Sequence, residues 1–342
     1  MSGDEILALL MLAGFFALLL AGVPVALTLA TSGFVFGLLG FGTGLFNLVP
    51  ARIYGVVTNY LWLAIPLFVF MGVMLEKSRL AEDLLDVVGH LAGGLKGGMA
   101  LGIILVGVLM GATTGIVGAT VITLGLLTLP TLMRRGYHPG VACGAICASG
   151  TLGQIIPPSL VLILLSDILQ LSVGTLFAAA VMPGLLLAAL YCAYMVILGM
   201  LRPDLVPVVP KAERDALPRA ELWMRFFKVV LPPLALVLSV LGSIIGGVAA
   251  PTEAASMGAL GSILVTALAG RLSFRVLKDT VQTTTKITAM VMFILICAQV
   301  FALAFRGLHG EELIQDLFGF LPGGLAADIW FLMLLIFVLG FF

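Results

Sequence analysis

Apolar positions run along this chain in long unbroken stretches, separated by brief clusters of charge. Residues 6–51, 53–75, 97–133, 136–166, 168–201, 229–252, 254–270, 287–305 and 329–342 contain no Asp, Glu, Lys or Arg. A helix needs about 20 residues to cross the hydrocarbon core of a bilayer. The first stretch therefore predicts two crossings, divided near Gly22-Val23-Pro24 or between Gly40 and Gly44. The stretches 97–133 and 136–166 are too long for one plain helix and too short for two comfortable ones. The whole pattern predicts an all-α chain that crosses a membrane several times, with roughly nine to eleven embedded segments.

Two polar stretches interrupt it. In 76–96, Leu80, Leu84, Leu85, Val88 and Leu91 recur at helical spacing, with Glu82, Asp83 and Asp86 on the other face. That predicts an amphipathic arm helix, lying in the interface plane or braced against a neighbour. The stretch 202–228 carries six basic and four acidic groups, and its later part sets Trp223, Phe226 and Phe227 beside Arg225 and Lys228. This predicts an interfacial arm helix leading into the next crossing. The chain divides accordingly into an N-terminal transmembrane half (1–200), a connecting arm (201–228) and a C-terminal transmembrane part (229–342).

Composition narrows the class further. Hydrophobic residues make up 61% of the 342 and charged residues 10%, against about 25% charged in soluble domains. An ordinary soluble enzyme is excluded. With 17 Lys+Arg against 17 Asp+Glu, no polycationic face is available for nucleic acid. The four cysteines form neither a disulfide framework nor a metal pattern. The start, Met1-Ser-Gly-Asp-Glu, is acidic, which fits a retained first transmembrane helix better than a signal peptide. Arg134-Arg135, the basic bias of 202–228, and Arg271, Arg275 and Lys278 are the natural cytoplasmic clusters. The first two share a side only if an even number of crossings separates them.

Three stretches carry candidate chemistry. In Ala148–Ser159, Pro157 and Pro158 lack backbone donors and clash with the preceding turn, so a helix is expected to stop near Gln154–Ile156 and another to restart after Pro158. Backbone groups freed at membrane depth must be satisfied by protein, water or an ion. Ser149, Gly150, Thr151, Gln154 and Ser159 stand at the same break, an arrangement that suits Na⁺ and an anionic substrate. A kinked helix whose small residues allow close packing is the plainer reading. In the second stretch, Glu253 is the only charge between 229 and 270, flanked by Pro251, Thr252 and Ser256. It serves either an ion or substrate site or, slightly favoured, as a cap on the helix begun at Pro251. The third, Gly111, Thr113, Thr114 and Gly118, loosely echoes the second, as inverted repeats with paired broken helices would. Gly/Ala/Thr helices also serve tight packing in lipid.

With Ile65-Pro66-Leu67-Phe68, Met71-Gly72, Gly115–Gly118, Ser149–Ser159 and Pro251–Ala255 on view, the chain resembles the large membrane subunit (the DctM-like permease) of tripartite ATP-independent periplasmic, or TRAP, transporters. The resemblance implies a sodium-coupled, elevator-type secondary importer with inverted repeats in a bacterial inner membrane, not an enzyme. Sodium serves as the coupling ion and an organic acid is the substrate. A periplasmic solute-binding protein (DctP-like) delivers the acid, and a small membrane subunit (DctQ-like) braces the scaffold. It also implies a re-entrant helical hairpin at about 138–166, with Gly150, Thr151 and Pro157 close to ion and substrate, and broken helices around Gly111–Gly118 and Gly247–Ser256 that help form sodium sites. A second hairpin with its own double-proline tip is expected in the family and is missing before residue 342. The alternatives are therefore a non-transporting scaffold subunit or a passive channel.

Overall fold

The computed structural model describes residues 3–78, 80–92, 94–114, 117–208, 219–319 and 324–340. In chain order the α-helices are α1 (Gly3–Leu20), α2 (Val25–Phe41), α3 (Leu45–Val57), α4 (Ala64–Lys77), α5 (Leu80–Ala92), α6 (Gly98–Thr114), α7 (Val117–Arg134) and α8 (Pro139–Ile155). They continue with α9 (Leu160–Ile168), α10 (Val173–Leu201), α11 (Arg219–Ile245), α12 (Pro251–Leu268), α13 (Phe274–Gly307), α14 (Gly310–Gly319) and α15 (Gly324–Leu339). No strand occurs among the described residues. Among the described residues, six helical stretches are long and apolar enough to cross a membrane, and the bent pair α8–α9 makes a seventh if it is one span. Three shorter apolar helices lie within α6, α7 and α15.

The chain forms two compact units, Met1–Asn59 with Ala289–Phe342, and Tyr60–Thr288. In the first, Ala8 and Met11 of α1 pack with Ala304 of α13 and with Leu308 just after it. Gly33 of α2 lies so close to the backbone of Phe301 that a β-carbon there would come within about 3 Å, the close approach that small residues permit between membrane helices.

The second unit holds the predicted site stretches, and its glycines reveal how the helices run. A β-carbon on Gly107 would collide with Ser149, and one on Gly111 with Gly153, so α6 and α8 lie side by side in the same direction. Gly150 meets Val121 and Gly125 meets Ile146, so α7 runs opposite to both. Gly184 touches Ile156 while Gly199 lies on Lys96, so α10 is antiparallel to α8. By the same logic α11 opposes α10 (Gly174 on Ile244), and α12 opposes α11 (Gly258 on Val240, Gly261 on Leu236).

The axes of α8 and α9 differ by a bend of 41° at the break, so the pair 139–168 has the form either of a broken span or of the re-entrant element expected at 138–166. α6 and α7, which run in opposite directions, have 17 and 18 residues, fewer than the about 20 that a crossing takes. Part of the connecting arm expected at 201–228 lies within the described residues. From Arg219 one 27-residue helix runs to Ile245, so the Trp223–Lys228 stretch is the first part of the crossing helix. Residues 209–218 lie outside the described residues. The first arm is α5, which buries Leu84 and Val88. Its Asp83 accepts a 2.7 Å hydrogen bond from Arg271.

Helix ends are tied by a short strap after α10. The Leu205 carbonyl accepts from the His138 amide at 3.0 Å and the Val206 carbonyl from Gly97 at 3.2 Å. The starts of α8 and α6 are thereby bound to the end of α10. Tyr137 is buried beneath them, and burial pushes its phenol above the usual value, against the opposing pull of the Met99 and Ala100 amides and of Arg135.

Candidate functional site

The break between α8 and α9 follows from its residues. Pro157 and Pro158 have no N–H, so the carbonyls of Gly153 and Gln154 lose the donors four residues on that a helix would supply. The Ile156 amide closes the last turn on Leu152 at 3.0 Å. The Ser159 hydroxyl then donates to the Gln154 carbonyl at 2.6 Å, replacing the donor that Pro158 removes. The peptide between the two prolines is cis. Pro157, Pro158 and Ser159 are buried, whereas Thr151 and Gln154 face outward from α8. Ser149 is fully buried and donates to the Ala145 carbonyl at 2.5 Å. Thr151 donates to Ala148 at 2.8 Å.

Next to this break lies the reversal between α6 and α7. Thr114 is three residues beyond Gly111, as Ile156 is beyond Gly153, and each advance is about 4.5 Å along a helix. Val117 stands four residues before Val121, which touches Gly150, so α7 also starts at this level. Two helices (α6 and α8) therefore end here and two (α7 and α9) begin here. Helix ends expose carbonyls and helix starts expose amides. The junction can offer oxygens to a cation and N–H groups to a carboxylate within one layer.

The predicted residues divide into three groups. Gly111 and Gly150 make the helix contacts, since each abuts a neighbouring helix with no room for a side chain. Gly107, Gly153 and Gly184 do the same and were not singled out from the sequence, although their small-residue spacing was a signal. Thr151, Gln154, Pro157, Pro158 and Ser159 build the break. Gly118 has open space around its α-carbon. The side chains of Thr113 and Thr114, and residues 115–116, lie outside the described residues.

The 251–256 stretch reaches this layer only through other helices. α12 packs on α4 and α11, and α4 packs in turn on α6 and α9. Glu253 is exposed and its Oε2 accepts from the Ala250 amide at 2.9 Å. Alanine has no side-chain acceptor, so this is the carboxylate half of a capping box, and it favours the capping reading of Glu253. Ser256 donates to the Thr252 carbonyl at 2.8 Å. One polar contact was not foreseen: Thr123 of α7 donates to Glu76 of α4 at 3.2 Å. Among the described residues, no three His, Cys, Asp or Glu side chains gather as a metal group.

Comparison with known proteins gives a consistent picture. Residues 12–342 match the family described as "Tripartite ATP-independent periplasmic transporter, DctM component". The C4-dicarboxylate TRAP transporter large permease protein DctM of Pseudomonas aeruginosa is 30% identical over 259 residues, covering 73% of this chain and 57% of that protein. The ectoine/5-hydroxyectoine TRAP transporter large permease protein UehC of Ruegeria pomeroyi is 31% identical over 291 residues, or 82% and 64% of the two chains. The sialic acid TRAP transporter large permease protein SiaM of Vibrio cholerae is 27% identical over 286 residues, again 82% and 64%. The chain thus spans about half to two thirds of the length of these relatives.

Proposed function

We infer the function from one premise: this chain belongs to the DctM component family of tripartite ATP-independent periplasmic transporters. As a multi-pass membrane protein of that family it is a transport subunit rather than an enzyme. We propose that it serves as the large permease of a sodium-coupled importer of an organic acid in a bacterial inner membrane. In this reading it works by an elevator motion, with a small membrane subunit and a periplasmic solute-binding protein as partners. The observation that carries the reading is the layer where α6 and α8 end and α7 and α9 begin. Carbonyl ends of α6 and α8 suit a desolvated Na⁺, and the amide starts of α7 and α9 suit a carboxylate. Thr151 and Gln154 add an outward-facing hydroxyl and amide to the same layer. The relatives named above handle C4-dicarboxylates, ectoines and sialic acid. That range supports a small organic solute and leaves the particular acid to the binding protein.

The test is uptake of radiolabelled carboxylates into proteoliposomes that hold this chain with its two partner subunits. Uptake is expected with an inward Na⁺ gradient and is expected to vanish when the gradient is collapsed. Thr151→Ala and Pro157→Ala should cut it by about tenfold or more, equivalent to about 1.4 kcal/mol, while leaving insertion intact. Flux that ignores both Na⁺ and the binding protein would establish a channel. Stable assembly with no uptake would establish a scaffold.

A further inference from the structure

The strap after α10 gathers charge as well as helix ends. Lys96, Arg134 and Arg202 are exposed around it, Arg135 is half-buried with its guanidinium 3.0 Å from the Met99 sulfur, and Asp204 is the acid among them. Lys96 directly precedes Gly97, which is bonded to Val206. Arg134 and Arg135 directly precede Gly136, whose α-carbon faces the Pro207 ring, and Arg202 opens the strap itself. Four bases thus frame one short segment.

Helix-end electrostatics accounts for only part of this charge. Arg134 and Arg202 stand at the C-terminal ends of α7 and α10, where a cation is favoured. Lys96 stands before the N-terminus of α6, where a cation is disfavoured. An anion beside it would offset that unfavourable placement. Beside the patch, the last turns of α10 turn Tyr194, Ile197, Met200 and Leu201 outward, each more than half exposed, and Leu95 next to Lys96 is 60% exposed. The surface therefore joins a cationic rim to an apolar flank.

We propose that this corner of the second unit binds an anionic phospholipid. Its phosphate lies among Lys96, Arg134 and Arg202, and its acyl chains lie along the outward face of α10. An acidic protein segment would satisfy the rim but would leave the flank uncovered, so a charged amphiphile is the better match. Bases at the cytoplasmic surface attract such headgroups.

Native mass spectrometry of the detergent-solubilised full chain, with phosphatidylglycerol or phosphatidylcholine added, tests the proposal. Phosphatidylglycerol is expected to be retained over phosphatidylcholine. Each of Lys96→Gln, Arg134→Gln and Arg202→Gln should weaken its retention about fivefold, and the triple variant about a hundredfold. The pair Arg225→Gln and Lys228→Gln, on α11 rather than on the strap or the helix ends it ties, should leave retention as it is. Helical content by circular dichroism checks that each variant is folded, and single variants keep the test decisive if the triple one is not. Equal retention of the two lipids, or undiminished retention in the folded single variants, overturns the proposal. So does displacement of the lipid by glycerol phosphate at matched concentration, which would mean that phosphate alone is bound, or by an acidic peptide, which would mean a protein dock.

Discussion

At the scale of single residues, the break between α8 and α9 depends on one hydroxyl. Pro158 takes away the donor for the Gln154 carbonyl, and Ser159 supplies another at 2.6 Å. Ser159→Ala leaves that carbonyl unmet, which costs about 1 kcal/mol or more, and a lower thermal midpoint in detergent is the expected result. Glycine contacts make a second case. At Gly153 a β-carbon would fall on the backbone of Gly111, whereas at Gly118 nothing lies within 4 Å. Gly153→Ala is expected to lose about 1–3 kcal/mol by overpacking, and Gly118→Ala much less. Equal melting of the two variants would refute the close approach of α6 and α8.

Single elements show where sequence logic reaches and where it stops. The chain has two Pro-Pro pairs inside apolar stretches. Pro157-Pro158 separates α8 from α9, while Pro232-Pro233 sits within the unbroken 27-residue α11. A proline removes a donor in both cases. Whether the helix then parts depends on whether other groups meet the freed carbonyls, as Ser159 meets Gln154 here, and that is a matter of neighbours. For the same reason the break at 154–159 was legible from its residues, but the direction of the chain after it was not. A bent crossing and a hairpin have the same composition. Labelling decides between them: in a cysteine-free background, His138→Cys and Gln170→Cys are expected to react with a membrane-impermeant maleimide from opposite sides. Reaction from one side would establish the hairpin.

For the second unit taken whole, the distribution of charge has a direction. The starts of α6, α8 and α11 share an end with the finishes of α7, α10 and α12, and this end carries Lys96, Arg134, Arg135, Arg202, Arg225, Lys228 and Arg271. Asp167 and Glu253 lie toward the other end. By the positive-inside rule the basic end is expected on the cytoplasmic side. Asp204→Cys and Leu272→Cys should therefore be labelled from the cytoplasmic side and Val248→Cys from the periplasmic side, in right-side-out against inverted vesicles. A mixed pattern would contradict the helix directions.

The sequence by itself determined the class of protein, because charge-free stretches of this length have no stable place in water and few options in lipid. It determined the α5 arm through its periodicity, and the family through its motifs. It also marked Thr151, Gln154 and Pro157–Ser159, since prolines and hydroxyls act on the backbone close to them. Only the tertiary structure decided that α6 and α7 run in opposite directions and that Gly111 and Gly150 are contact points. It likewise decided that Glu253 caps its own helix. Those outcomes depend on which residue faces which across the space between helices. Such facing is set by packing of distant segments, which spacing along the chain does not encode.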